Sequence, residues 1–546
     1  MVKDILKNMT IEDKVGQMCV PILQSDKITE EIRKAVVEYK VGVVRYRPDA
    51  EFDNASVAVG QPNKYFTPNQ SAAFLNELQS LAEIPLIISV DQEGGCRSDI
   101  NRCNAMVYAS HMCFGVADDS ELTYQVAKAT AEEFRAMGIN QIQSPICDVF
   151  RYSGRQTMKA ATFGEDAEKV AKHAVAMKRG FQDGGVLAMG KHFPGYGSIA
   201  TDAHKGTAHI VKSVEELEKE DIFPFKQLID DGVDGIMMGH VIVDAIDKQY
   251  PATLSRTLTT GYVREKLGFE GIIMTDAMRM KAIQDNYGTG VASVMAIKAG
   301  CDLVLLRGDF NHFKEGYNAI LVAAKSGEIS EEILDASVLR ILNAKDSIGL
   351  FENRYADAQK ADDIVGTKEH QELLFELASK SISVLREKNL PLCANNGKKI
   401  SVISVEPQKI AAAMDEKQCV DMLGKEIKAL HKNTDDIVVR LDPDEKDIQK
   451  AIAVAKDADI IVLGMCSAII FINQEQLYRE LKNLRKTMIV VAMESPCDIE
   501  LIPDCDNYIA TYGAARDWMK VAAMRIFGLT NINAKSAIMI PEVDKV

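Results

Sequence analysis

The chain has 546 residues, which at roughly 100–200 residues per domain accommodates two to four domains, two large ones fitting best. With 47% hydrophobic and 26% charged residues it lies in the ordinary globular range, and a disordered chain is excluded. Its 64 basic and 79 acidic residues leave a net charge of −15; such a surface repels phosphate backbones and anionic membranes, so neither nucleic acid nor a membrane is expected as a partner.

The opening MVKDILKNMTIEDKVGQM carries acidic residues early and no continuous apolar segment, so it does not read as a secretory signal. From residue 1 to about 345, short runs rich in Val and Ile alternate with amphipathic stretches. The runs are 41–46, 85–91, 139–149, 186–193, 233–241, 271–276 and 301–307, with 15–23 as a candidate eighth. They have the composition of strands buried on both faces. Helical patterns occupy 71–81, 121–137, 167–182, 214–231, 257–266 and 291–299. Repeated strand-then-helix units imply parallel strands with right-handed crossovers, and this length suits a (β/α)₈ TIM-like barrel better than an open sheet. The barrel is assigned to residues 1–350. Residues 351–395 read as a linker with a helix at 371–385. A smaller α/β sandwich domain follows over 396–546, with runs at 399–405, 437–441, 459–465, 487–493 and 507–511.

The longest apolar stretch, 460–472, falls short of the roughly 20 residues that a spanning helix needs. The 11 cysteines are scattered, odd in number and contain no C-x-x-C pair, which argues against a disulfide framework and for reduced thiols in a cytoplasmic protein.

Catalytic groups of such barrels sit at the C-terminal ends of the strands. Successive runs here end in Asp91-Gln92-Glu93-Gly94-Gly95, Asp148, Lys191-His192, His240, Asp276 and Arg307. Carboxylates, a lysine and imidazoles converging without thiols suit the binding and cleavage of a polyhydroxylated substrate. The densest segment is GKHFPGYGSIATDAHKGTAH, residues 190–209. Its glycines open a loop in which Asp202 and His204, two apart, can hydrogen-bond, the carboxylate fixing the imidazole tautomer and raising its basicity. The same spacing is also met on surfaces with no role. H-x-x-x-H and H-E-x-x-H patterns are absent here, so neither a metal nor another cofactor is expected. Asp276, leaving an apolar strand, is placed to act as a nucleophile toward an anomeric carbon, or equally to cap the next helix.

At this point the sequence resembles glycoside hydrolase family 3, in its β-N-acetylhexosaminidase branch with a C-terminal α/β domain. MTIEDKVGQM, DQEGG, FGED, KHFPG-x-G followed by D-x-H, PATLS and GFEGIIMTDAM occur in the family's order, and VVAMESPCDIELIP resembles its second domain. KHFPG with the trailing D-x-H is the most specific element. The resemblance implies an exo-acting, retaining enzyme that releases terminal β-N-acetylglucosamine, or a related sugar, from small glycans or cell-wall fragments. It makes Asp276 the nucleophile, His204 the acid/base and Asp202 its partner. Asp91, Lys191 and His192 become hydroxyl-binding residues, with His240 nearby. Phosphorolysis, a β-glucosidase activity and a catalytically silent sugar-binding protein are the alternatives.

Two departures bear on the terminal sugar. Ala161 stands where the family usually carries a sugar-binding Arg, whose rigid fork no small residue replaces. Arg97, Arg102, Arg151 and Arg155 are the candidate substitutes, Arg97 foremost. Cys96-Arg97 follows DQEGG in place of the commoner Arg-Val, and Tyr196 stands in KHFPG-x-G in place of His. The C-terminal domain is expected either to wall the active site or to provide a homodimer surface.

Overall fold

The computed structural model describes residues 1–48, 67–100, 105–199, 206–392, 397–406 and 422–544. In chain order the first strands are β1 (Cys19–Leu23), β2 (Val43–Tyr46), β3 (Ile87–Val90), β4 (Gln141–Ile142) and β5 (Leu187–Phe193). They are followed by β6 (Ala208–Ile210), β7 (Gly235–Met238), β8 (Val241–Val243), β9 (Ile272–Thr275) and β10 (Val304–Leu306). Eight of these form one parallel sheet in the order β10-β1-β2-β3-β4-β5-β7-β9. The ends meet where Met274 bridges Leu303 and the Thr275 N–H donates to the Leu303 carbonyl at 3.0 Å. The expected (β/α)₈ barrel is therefore formed, with β6 and β8 paired beside it.

Three elements differ from the sequence expectation for identifiable reasons. Residues 15–23 do not form one strand. A helix, Ile11–Met18, precedes β1, because Thr10 and Asp13 build a reciprocal capping box that satisfies the helix's first donors. The expected helix over 214–231 is two helices, Val214–Glu220 and Phe223–Asp230, since Pro224 is tolerated in a first turn but not in a helix interior. The helix expected over 371–385 runs Lys368–Lys380 and stops, and the chain then enters β11 (Ser383–Arg386).

β11 lies antiparallel on the edge of a six-stranded sheet completed by β12 (Ile400–Val405), β13 (Thr434–Val439), β14 (Ile460–Met465), β15 (Thr487–Ala492) and β16 (Tyr508–Ala510). The order is β11-β16-β15-β14-β12-β13, and every pairing except the first is parallel. Helices Leu423–Leu430, Glu445–Ala455 and Asn473–Asn483 pack on it, completing the α/β domain.

The two domains meet along a close-packed seam. Arg97 Nη2 lies 2.7 Å from Glu494 Oε1, the two side chains being 11% and 10% exposed. Arg155 pairs with Glu500 at 3.2 Å, and the Glu165 N–H donates to the Ala537 carbonyl at 3.2 Å. A methyl group on Gly513 would come within 2.6 Å of the Ala109 Cβ and carbonyl oxygen, so the two backbones touch there with no room for a side chain.

Candidate active site

Polar side chains gather at the C-terminal rim of the barrel in two linked groups. The first is built on Lys191, which leaves β5 and is 2% exposed. Its Nζ lies 2.7 Å from Asp91 Oδ1 and pairs with Glu93 as well. Asp91 also pairs with Arg45 of β2, and Arg45 in turn holds Asp99. The Asp91 N–H donates to Asp99 Oδ2 at 2.6 Å, which folds the turn after β3 back on itself.

Burial opposes the charge on Asp91, but Arg45 and Lys191 outweigh it and hold the carboxyl below the usual carboxylate range. Asp99 moves the other way: burial, helped by the Asp91 charge, raises its pKa against the pull of Arg45. Lys191 stays cationic because Asp91 and Glu93 overcome its own burial. Arg307, after β10, adds a further guanidinium, whose pKa is lowered by burial and then by the nearby Arg47 and Arg45.

The second group is built on Asp148, which is fully buried. Its Oδ2 lies 3.0 Å from His192 Nδ1, and its Oδ1 accepts the Tyr196 N–H at 2.6 Å. Since the carboxylate only accepts, Nδ1 of His192 carries the proton. Burial opposes a charged His192, but Asp148, aided by Asp276, raises its pKa overall. The Tyr196 ring stacks on the imidazole with centroids 4.8 Å apart and planes at 26°.

This loop can lie so close only because of its glycines. Gly195 sits at φ +129°, and a methyl group on Gly197 would fall 1.7 Å from the Val149 carbonyl oxygen. Asp276 stands partly exposed at the exit of β9. Its Oδ1 accepts the Ala277 N–H at 2.6 Å, and its Oδ2 lies 3.4 Å from the Tyr196 hydroxyl.

Asp91, Lys191, His192 and Asp276 thus come to one rim from β3, β5 and β9. Two other candidates are placed differently. His240, expected beside the sugar, is fully buried: Nε2 faces the Ala277 carbonyl at 3.1 Å and Nδ1 faces Thr253 Oγ1 at 2.8 Å. Its imidazole supports the backbone that carries Asp276, since Ala277 is the next residue. Arg97, expected to offer its guanidinium to the sugar, is turned to Glu494 across the domain seam.

Of the other candidate substitutes, Arg151 binds the Glu165 carbonyl at 2.7 Å and Glu220 at 3.1 Å, and Arg155 binds Glu500. Arg102, Asp202 and His204 lie outside the described residues. Fixed donors and acceptors beside a carboxylate can bind vicinal hydroxyls and present a nucleophile to an electrophilic carbon.

Residues 10–344 match the Glycosyl hydrolase family 3 N terminal domain. The chain belongs to glycosyl hydrolase family 3. A solved family 3 β-N-acetylglucosaminidase from Paenibacillus sp. str. FPU-7 superimposes with a TM-score of 0.90 at 29% identity, covering 97% of this chain and 99% of that one. "Beta-hexosaminidase A" of Pseudoalteromonas piscicida is 28% identical over 355 residues, 61% of this chain and 59% of its own length. A beta-hexosaminidase of Nitrosomonas eutropha is 34% identical over 251 residues, 45% of this chain and 71% of its own length.

Within this family 3 chain, Arg45 is the rim residue that sequence reasoning passed over, because it sits inside an apolar run. A strong cation in the middle of a strand otherwise made of Val and Tyr is the signal that marks it. Asp148 and Tyr196 were visible as motif residues, but their joint grip on His192 was not, since it depends on how the 194–198 loop folds back on residues 148–151.

Proposed function

We propose that the protein is an exo-acting, retaining β-N-acetylhexosaminidase that removes terminal N-acetylglucosamine, or a closely related sugar, from small glycans or cell-wall fragments. The observation that carries this reading is the placement of Asp276 at the β9 exit, in contact with Tyr196 and beside the Asp148–His192 pair. The names of the similar proteins support the choice of sugar.

Asp91, Lys191 and His192 bind the hydroxyls of the terminal sugar. The Asp276 carboxylate attacks the anomeric carbon and forms a glycosyl ester while the bond to the leaving oxygen breaks. His204, oriented by Asp202, gives its proton to that oxygen. It then takes a proton from the incoming water, whose oxygen displaces Asp276 and returns the β configuration. Reduced thiols fit a cytoplasmic setting: Cys19, Cys113, Cys147, Cys301, Cys497 and Cys505 are free and buried. Among the described residues no helix is long and apolar enough to cross a membrane.

The test is a panel of p-nitrophenyl β-glycosides assayed with and without inorganic phosphate, on the wild type and on two variants. Asp276→Ala should abolish turnover. His204→Ala should spare p-nitrophenyl substrates far more than substrates with poor leaving groups. Equal losses on both kinds would remove the acid/base role, and a preference for unsubstituted glucosides would remove the hexosaminidase reading.

A further inference from the structure

We propose that Tyr196 is a positioning residue for Asp276: its hydroxyl, aimed by the His240 backbone amide, donates to Asp276 Oδ2 and fixes the rotation of the carboxylate. This rests on the reading of Asp276 as the nucleophile. It adds a residue that the family pattern does not carry, since the position usually holds His.

Four contacts lock the phenol in place. The Tyr196 N–H is held by Asp148 at 2.6 Å, and its ring lies on His192, which the same carboxylate holds from its other oxygen. The hydroxyl oxygen accepts the His240 N–H at 2.5 Å. The ring lies directly on Gly239, where a methyl group would come within 2.9 Å of Cε1, Cζ and the hydroxyl oxygen. With an amide N–H engaging the hydroxyl oxygen, the O–H is directed away from His240, and Asp276 Oδ2 is the acceptor it meets at 3.4 Å. That separation is long for an O–H···O bond; hydrogen bonds in free enzymes are often long and shorten with substrate in place.

The other oxygen, Oδ1, takes the Ala277 N–H at 2.6 Å, so the two donors together set the plane of the carboxylate. Tyr196 itself is only 7% exposed. A rigid, largely desolvated donor costs no reorganisation when Asp276 begins to share its charge with the sugar. The charged and titratable groups described near Asp276 include the Tyr196 phenol, the His192 imidazole, itself influenced by Asp148 and Lys191, and the His240 imidazole, 3.1 Å from the Ala277 carbonyl. Asp202 and His204 lie outside the described residues.

The experiment compares Tyr196→Phe and Tyr196→His with the wild type on a p-nitrophenyl substrate, measuring kcat, KM and the pH profile of kcat/KM. Tyr196→Phe removes the donor and keeps the stacked ring. Its kcat should fall about tenfold, the rate equivalent of one hydrogen bond. KM should stay within a small factor, because Asp91, Lys191 and His192 are untouched. The acidic limb of the profile should move to higher pH, since a carboxylate that loses a donor protonates more readily. Tyr196→His, which restores a donor, should recover much of kcat and return the limb toward its wild-type position. An unchanged acidic limb in Tyr196→Phe, or equal impairment of the two variants, overturns the proposal. Asp276→Ala separates this from the parent reading: if that variant keeps turning over, the nucleophile assignment fails, whereas its inactivity beside an unaffected Tyr196→Phe sinks the positioning role alone.

Discussion

Lys191 is the side chain on which the first polar group of the rim turns. It is almost wholly enclosed, and it neutralises both Asp91 and Glu93, so two carboxylates can stand side by side at the rim. Removing one partner of an enclosed charge pair typically costs about 3–5 kcal/mol, because the other partner is left buried and uncompensated. Lys191→Met should therefore lower unfolding free energy by that order in urea titrations, as well as abolishing activity. A loss below about 1 kcal/mol would mean that Arg45 alone suffices for Asp91. At this scale the sequence was most informative where a polar group ends an apolar run, as at Asp91, Lys191 and Asp276. It was silent where direction matters: His240 ends a strand too, yet its ring turns inward to Thr253 and Ala277, and nothing in the neighbouring residues encodes that turn.

The helices that surround the barrel carry their own pH sensitivity. Helix Ala167–Asp183 packs on Ser120–Ala136, and His173 between them is fully buried, with Nδ1 2.9 Å from Thr123 Oγ1. Burial pushes its pKa down to about 4. His111 is pushed down to about 3, by burial and then by the charge of Lys191. Unfolded histidines titrate near 6.5, so below that pH the unfolded chain takes up protons that the folded chain refuses. The contribution of these two histidines to stability is therefore intact above about pH 6.5 and falls as pH drops toward the folded values. Replacing His173 by Gln removes one such proton, and the variant should lose about 2 kcal/mol less than the wild type between pH 7.5 and 5.0 in urea unfolding. A parallel loss in the two proteins would show that His173 is protonated while folded. Element edges were legible where chemistry marks them, as with Pro224 splitting one helix into two. The change from helix to β11 after Lys380 was not, because the pairing that makes Ser383–Arg386 a strand comes from Tyr508–Ala510, over a hundred residues away.

At the scale of the whole molecule, the link that matters joins residues nearly four hundred positions apart. Arg97 and Glu494 are both close to nine-tenths covered, and Glu494 also takes the Ser467 hydroxyl. Glu494→Met should cost about 3 kcal/mol by leaving the guanidinium without a counter-charge, and adding Arg97→Met to it should recover part of that loss. Denaturant unfolding of the two single variants and the double variant measures that coupling; additive losses would reduce the pair to an incidental contact. No local signal in the sequence announces the seam, since neither ESPCDIE nor DQEGGCR names its partner. The alternation of strands and helices made both folded bodies legible, while their mutual docking was written only in shape.

That docking has a mechanical consequence. Gly513 meets Ala109 with no slack, and the turn from Gly94 to Arg97 is anchored on the far body immediately after Asp91 and Glu93. The rim carboxylates Asp91 and Glu93 therefore share a chassis with the second domain, and a shear of even an ångström between the halves would be felt at the C-terminal mouth of the barrel.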